Sequence, residues 1–119
     1  MSDPFLFDIT SPRLGLPLLF AGQAQKEAFV NEALAITDAL LHCAIEGEAS
    51  TPPATPAEGE AWLVAASATG AWEGHDGAIA CRQGGNWIFV TPVDGMRVLD
   101  RTTGQEGRFH AGWHWPVTP

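Results

Sequence analysis

The sequence predicts an α+β chain: an extended N-terminal arm, one long α-helix, a Pro-rich linker and a small antiparallel β-meander or barrel-like domain. Three observations predict it. Proline and glycine punctuate residues 1–22, a long stretch with neither follows, and from residue 61 short apolar segments alternate with glycine turns. At 119 residues the chain can bury one modest core.

Pro4, Pro12, Gly15, Pro17 and Gly22 exclude a regular helix from residues 1–22. The same segment is strongly apolar, whereas disordered tails are poor in hydrophobic residues. It therefore reads as an extended docking arm, laid against its own domain or a neighbouring subunit through Phe5, Phe7, Leu14, Leu16, Leu18 and Phe20.

Residues 23–46 read as one amphipathic oligomerisation helix closed by Gly47. Phe29, Ala33, Ile36 and Leu40 recur at helical spacing and form one apolar stripe. Val30, Leu34 and Leu41 form a second, interrupted by Thr37. Glu27, Asn31, Asp38 and His42 take the polar face. A helix packed on one body needs one stripe, so two stripes ask for two bodies or for a β-domain that wraps around both. The expected interface residues are Phe29, Val30, Leu34, Ile36, Leu40 and Leu41.

Residues 47–60, within EGEASTPPATPAEGE, form a semi-rigid Pro-rich linker. The antiparallel β-domain spans 61–119, with strands expected at 61–66, 77–83, 86–91, 96–100 and 107–110 and a last edge near Trp113 to Trp115. Gly84-Gly85 can adopt positive φ and so close a tight hairpin, and Asp94-Gly95 and Thr103-Gly104 supply the next turns. Residues 86–91 are apolar on both faces, which marks a central strand or one covered by the helix.

Composition narrows the function. The charged fraction is low, 17%, while five Trp and six Phe are present, which suggests apolar surface meant for a partner. The net charge is −8 and the six Lys and Arg are scattered, so no basic face can form and nucleic-acid binding is not expected. No apolar run reaches the ~20 residues of a membrane span. Met1 to Asp8 lacks the pattern of a secretory signal, so accumulation in the cytoplasm of the producing cell is expected. Cys43 sits in a helical pattern and Cys81 in a strand pattern, so two buried thiols are expected rather than a disulfide.

Chemistry-bearing constellations are weak. His110 and His114 would share a helix face, but HAGWH contains Gly112 and lies in a strand and turn region, so no metal site is expected. His75-Asp76 pairs an imidazole with an acid, yet no partner nucleophile accompanies it. No phosphate-binding loop is present and no cofactor is expected. Trp62 and Trp87 lie inside apolar strands and read as core. Trp72, Trp113 and Trp115 lie at turns or near the chain end and are the candidates for fibre or glycan contact.

The segments SPRLGLPLL, AGQAQKE and NEAL with DAL following, within residues 11–41, carry a family resemblance; TPPATPAEGE, ATGAWEGHDGAIA, GGNWIFVTP and GMRV extend it. Over residues 10–100 the chain resembles the domain of unknown function numbered 2793, found in prophages and in particle-forming clusters called gene transfer agents. The resemblance implies a structural role in tail-fibre or head-spike proteins, where longer relatives use this domain as an N-terminal attachment unit. It carries over no catalytic residue. Because the sequence ends at Pro119, soon after the β-domain, the expectation is a stand-alone base. The expected function is thus that of a non-enzymatic virion part: an oligomeric base or adaptor attaching a spike or fibre to a phage-like particle. The gene transfer agent head-spike base is its specific form. Its partners would be copies of itself as a pentamer or trimer, a capsid or tail protein, and a spike or fibre protein. It would be assembled in the bacterial cytoplasm and carried on the particle surface. The alternative is a carbohydrate-binding module that uses the C-terminal Trp residues on surface polysaccharide. A cell-wall hydrolase, resting on His75-Asp76, is the third.

Overall fold

The computed structural model describes Leu16, Pro17, Ala24 and residues 26–116. The class is α+β: among the described residues there are one α-helix, α1 (Lys26–Leu40), and eight short strands in two four-stranded sheets. The strands are β1 (Ala44–Ile45), β2 (Glu48–Ala49), β3 (Ala61–Val64), β4 (Ile79–Gln83), β5 (Asn86–Val90), β6 (Arg97–Asp100), β7 (Glu106–Phe109) and β8 (Trp113–His114). One sheet runs in the order β1-β6-β7-β8 and the other β2-β3-β4-β5, so the barrel-like closure expected from the sequence is replaced by two separate sheets.

The helix is shorter than its apolar pattern. Leu41 N–H still donates to Thr37 O, 2.9 Å, but His42 then turns to φ 54° and ends the helix. A left-handed residue after the last turn is a standard helix stop, usually taken by glycine. Here histidine takes it, five residues before the Gly47 that the sequence offered. Beyond it, Ala44 and Ile45 leave the helix for a sheet, and Ile45 becomes fully buried.

The Pro-rich segment is not a spacer between helix and sheet. β1 pairs in parallel with β6, and β2 pairs in parallel with β3, so residues 44–49 supply the first strand of both sheets. The carbonyls of Cys43 and Ile45 accept from Leu99 and Arg101 on one side. Those of Gly47 and Ala49 accept from Leu63 and Ala65 on the other. Further along, Glu58 receives the amides of Gly84 and Gly85 at 2.6 and 3.1 Å and so fastens the linker to the β4–β5 hairpin. Both glycines of that hairpin have positive φ, 62° and 77°, the geometry that a two-residue connection demands.

Two clusters make the core. The larger joins Ile36 and Ala39 of α1 to Cys43, Ile45, Leu63, Ile79, Cys81, Val90 and Val98, and half-buried Leu16 packs against it. The smaller centres on Trp72, which is 0% exposed and lies in a 3-10 turn, Gly70–Trp72. Trp72 meets Trp87 edge-on at 5.2 Å and Trp62 at 6.2 Å, between ring centroids. Trp62 and Trp87, expected in the core, are half-buried walls around it.

Both cysteines are buried free thiols, as expected. Burial pushes the Cys43 thiol up to about 11, and the neighbouring Cys81 adds to the shift. Burial raises Cys81 as well, against a 3.6 Å hydrogen bond from Gln83 Nε2 to its sulfur.

Two predictions follow from these observations. His42→Gly should relieve the left-handed strain and stabilise the fold by up to about 1 kcal/mol, seen as a higher melting temperature; a lower one would mean that the imidazole itself holds the helix end. Neither thiol should react with a disulfide reagent at pH 8 until denaturant is added. The native chain holds the Cys43 proton up to about pH 11 and the unfolded chain only to 9.0, so stability should fall as pH rises through that window. Stability that is flat there would contradict the burial of Cys43.

Candidate assembly surface

α1 is anchored by its C-terminal half. Ile36 and Ala39 are buried and Leu40 is half-buried against the larger core cluster. Every position from Lys26 to Glu32 is exposed. The first apolar stripe therefore divides: Ile36 and Leu40 pack on the domain, while Phe29 stands at its outer end. The second stripe is bare among the described residues, with Val30 39%, Leu34 61% and Leu41 66% exposed. Of the predicted arm residues only Leu16 is described; Phe5, Phe7, Leu14, Leu18 and Phe20 lie outside the described residues.

Sequence reasoning missed one member of this surface. Leu99 on β6 is 44% exposed, because alternation turns its neighbour Val98 inward and Leu99 out. It pairs with Ala44 and borders a groove of about 580 Å³ that also takes in Leu40, His42, Met96 and Arg97. The alternation in MRVLD was the available signal, but a single outward leucine does not separate contact surface from ordinary exposure.

The three Trp residues assigned to fibre or glycan contact do not come together. Trp72 is a correction: its ring is the most enclosed aromatic of the small cluster and cannot reach a ligand. Its turn-like sequence neighbourhood, GAWEGHDG, concealed a 3-10 turn folded inward. Trp113 is half-buried, edge-on to Phe109 at 5.2 Å, and its indole N–H donates to Gly77 O at 3.3 Å. Trp115 is half-buried against the larger cluster, its six-membered ring lying over Gly107. Both cover the core rather than form an open stacking platform.

The other constellations are likewise occupied by structure. Asp76 accepts from the amides of Ser67 and Ala68 at 2.9 and 3.1 Å, bracing a loop in which Ser67 has φ 60°. His75 stacks on Phe89, with ring centroids 3.6 Å apart and planes 4° from parallel. His110 and His114 rings lie 6.4 Å apart, and His114 Nε2 is 2.9 Å from the His110 carbonyl. Among the described residues no group of three His, Cys, Asp or Glu side chains is placed to hold a metal ion. No described helix is long and apolar enough to cross a membrane.

The chain matches the family described as Protein of unknown function (DUF2793) over residues 30–115, from the second turn of α1 to just beyond β8, and belongs to that family. The matched span runs further toward the C-terminus than the resemblance read from the sequence and starts after the arm. No curated protein matches the chain.

The placement of Trp115 generates a prediction. A Cβ on Gly107 would stand 2.7 to 2.8 Å from three atoms of the indole, so Gly107→Ala should expel the ring. The expected result is a red-shifted Trp emission and a loss of about 1–3 kcal/mol, typical of overpacking. An unchanged spectrum would mean that Trp115 is not seated there in solution.

Proposed function

We propose that this member of a family of unknown function is a non-enzymatic structural protein of a phage-like particle, an oligomeric base or adaptor for a spike or fibre. The head-spike base of a gene transfer agent is the specific form of the proposal. Copies of the chain associate through α1 as a pentamer or trimer, and the assembly links a capsid or tail protein to the spike or fibre.

The observation that carries this reading is the bare second stripe of a helix already anchored by its first. Val30, Leu34 and Leu41 face away from the core that holds Ile36 and Ala39, and the first two turns of α1 have no cover on any side among the described residues. Two free-standing helical turns are not self-supporting in water. Each large apolar side chain buried at a contact contributes about 1.5–3 kcal/mol, so covering Leu34 and Leu41 alone offsets much of the cost of association. The particle setting comes from the resemblance read in the sequence motifs, while the family match itself carries no function. Among the described residues Asp76 and Glu58 spend their carboxylates on loop and hairpin amides, a bracing role that suits a structural part.

Charge placed on the bare stripe tests the reading. Leu34→Glu with Leu41→Glu should leave the melting temperature of the isolated chain nearly unchanged, since both side chains are already exposed, yet convert the oligomer to monomer by light scattering. Particles assembled with that variant should lack one appendage by electron microscopy. A wild-type chain that is monomeric at all concentrations, or a double variant that still assembles and leaves every appendage in place, would overturn the proposal.

A further inference from the structure

We infer that Val30, Leu34, Thr37 and Leu41 form a heptad seam on which three or more copies of the chain pack their helices in parallel, like residue against like. The inference rests on the proposed assembly and gives it a direction and an order.

The four residues stand four, three and four apart, the alternation that keeps one seam facing its partners along supercoiled helices. At about 100° per residue, their mean direction lies roughly 160° from that of Ile36 and Ala39, so the seam is on the far side of the helix from its own domain. All four are exposed, Leu34 and Leu41 to 61% and 66%. Thr37 interrupts the stripe in sequence but not in chemistry. Its hydroxyl donates to Ala33 O at 2.8 Å, so the donor is satisfied within the helix and the methyl group can enter a contact without leaving a buried polar group unpaired.

The residue types set the order. Within the seven-residue repeat, Leu34 and Leu41 take the first core position and Val30 and Thr37 the fourth. The reverse arrangement, β-branched first and leucine fourth, suits two-stranded coils, whereas leucine first and β-branched fourth shifts the preference to larger bundles. Two-stranded seams are also commonly bordered by Glu and Lys pairs across the contact. Here the bordering positions are Asn31, Ala33, Asp38 and Leu40, with no cation among them, and Asp38 accepts from Gln83 of its own domain at 3.2 Å.

The direction follows from the order. An antiparallel contact repeats only through a two-fold axis, whereas a parallel one closes under cyclic symmetry of any order. Parallel packing also gathers every β-domain at one end of the bundle, because each helix enters its own domain directly after Leu41. A seam of two heptads is short for a free coiled coil. Here the domain already fixes each helix through Ile36, Ala39 and the bonds from Gln83, so association has fewer groups to order.

Exchanging the residue types tests the order. A full chain with Val30→Leu, Leu34→Ile, Thr37→Leu and Leu41→Ile keeps the seam apolar and touches no buried residue, so its circular dichroism should match the wild type. By sedimentation equilibrium its mass should fall from that of three or more copies to that of two. Cross-linking tests the direction. Full chains carrying Val30→Cys, treated with glutathione disulfide, should join to one another at the substituted position, because parallel packing puts like residues in one layer. In an antiparallel pair those positions would stand about 16 Å apart, and only a mixture with Leu41→Cys chains would link. A wild-type dimer, an exchanged variant of unchanged mass, or linking of Val30→Cys to Leu41→Cys chains in place of self-linking overturns this inference. Each leaves standing the association through α1, which the Leu34→Glu and Leu41→Glu variant tests separately. A chain that never associates removes both this inference and the reading beneath it.

Discussion

The backbone of residues 43–49 holds this fold together. Its carbonyls reach in opposite directions: Cys43 and Ile45 accept from β6 and the residue after it at 3.0 and 2.9 Å, and Gly47 and Ala49 accept from β3 and the residue after it at 3.0 and 2.8 Å. Glu46, in the middle, donates its N–H to Ala61 O and holds Arg101 through its carboxylate at 2.9 Å. A buried backbone group left unpaired is costly, so each of these bonds constrains the position of a sheet. Without this segment the two sheets would be separate hairpins and meanders, each too small to bury a core by itself.

Because that segment follows α1 directly, it also fixes where the helix lies. The helix leaves the domain through His42, with Ile36 and Ala39 pressed into the cluster that Cys43, Ile45 and Val98 complete. Gln83 adds a tie from β4, donating to Ala35 O at 3.1 Å and to the Asp38 carboxylate at 3.2 Å. One face of the helix is thereby committed to its own domain, and the position of the second stripe follows from helical geometry alone. The proposed contact surface is thus a consequence of how the core is closed.

The sequence made the β-domain readable and the region before it only partly so. Strands from residue 61 onward follow their apolar alternation and glycine turns closely, because antiparallel hairpins are local and their turn residues are distinctive. The helix end was not readable, since a histidine rather than a glycine adopts the left-handed conformation there. β1 and β2 were hidden for a different reason: two-residue parallel strands have no periodicity, and their partners lie far along the chain. Trp72 was misplaced because its flanking glycines suggest surface, whereas Gly70 and Gly74 bend the chain so that the indole folds inward. Of the candidate surface, the bare stripe of α1 was visible as an excess of apolar residues. Leu99 was not, because only the register of β6 turns it outward.

The packing of Trp72 has an optical consequence. Its indole N–H has no hydrogen-bond partner among the described residues, and its ring lies within 5.2 and 6.2 Å of two others at steep angles. Chromophores so near each other share their excited states, and the sign and size of the resulting circular-dichroism couplet depend on their mutual orientation. Three of the five Trp residues form that group, so the molecule carries an intrinsic gauge of whether its smaller core is intact, readable without any label.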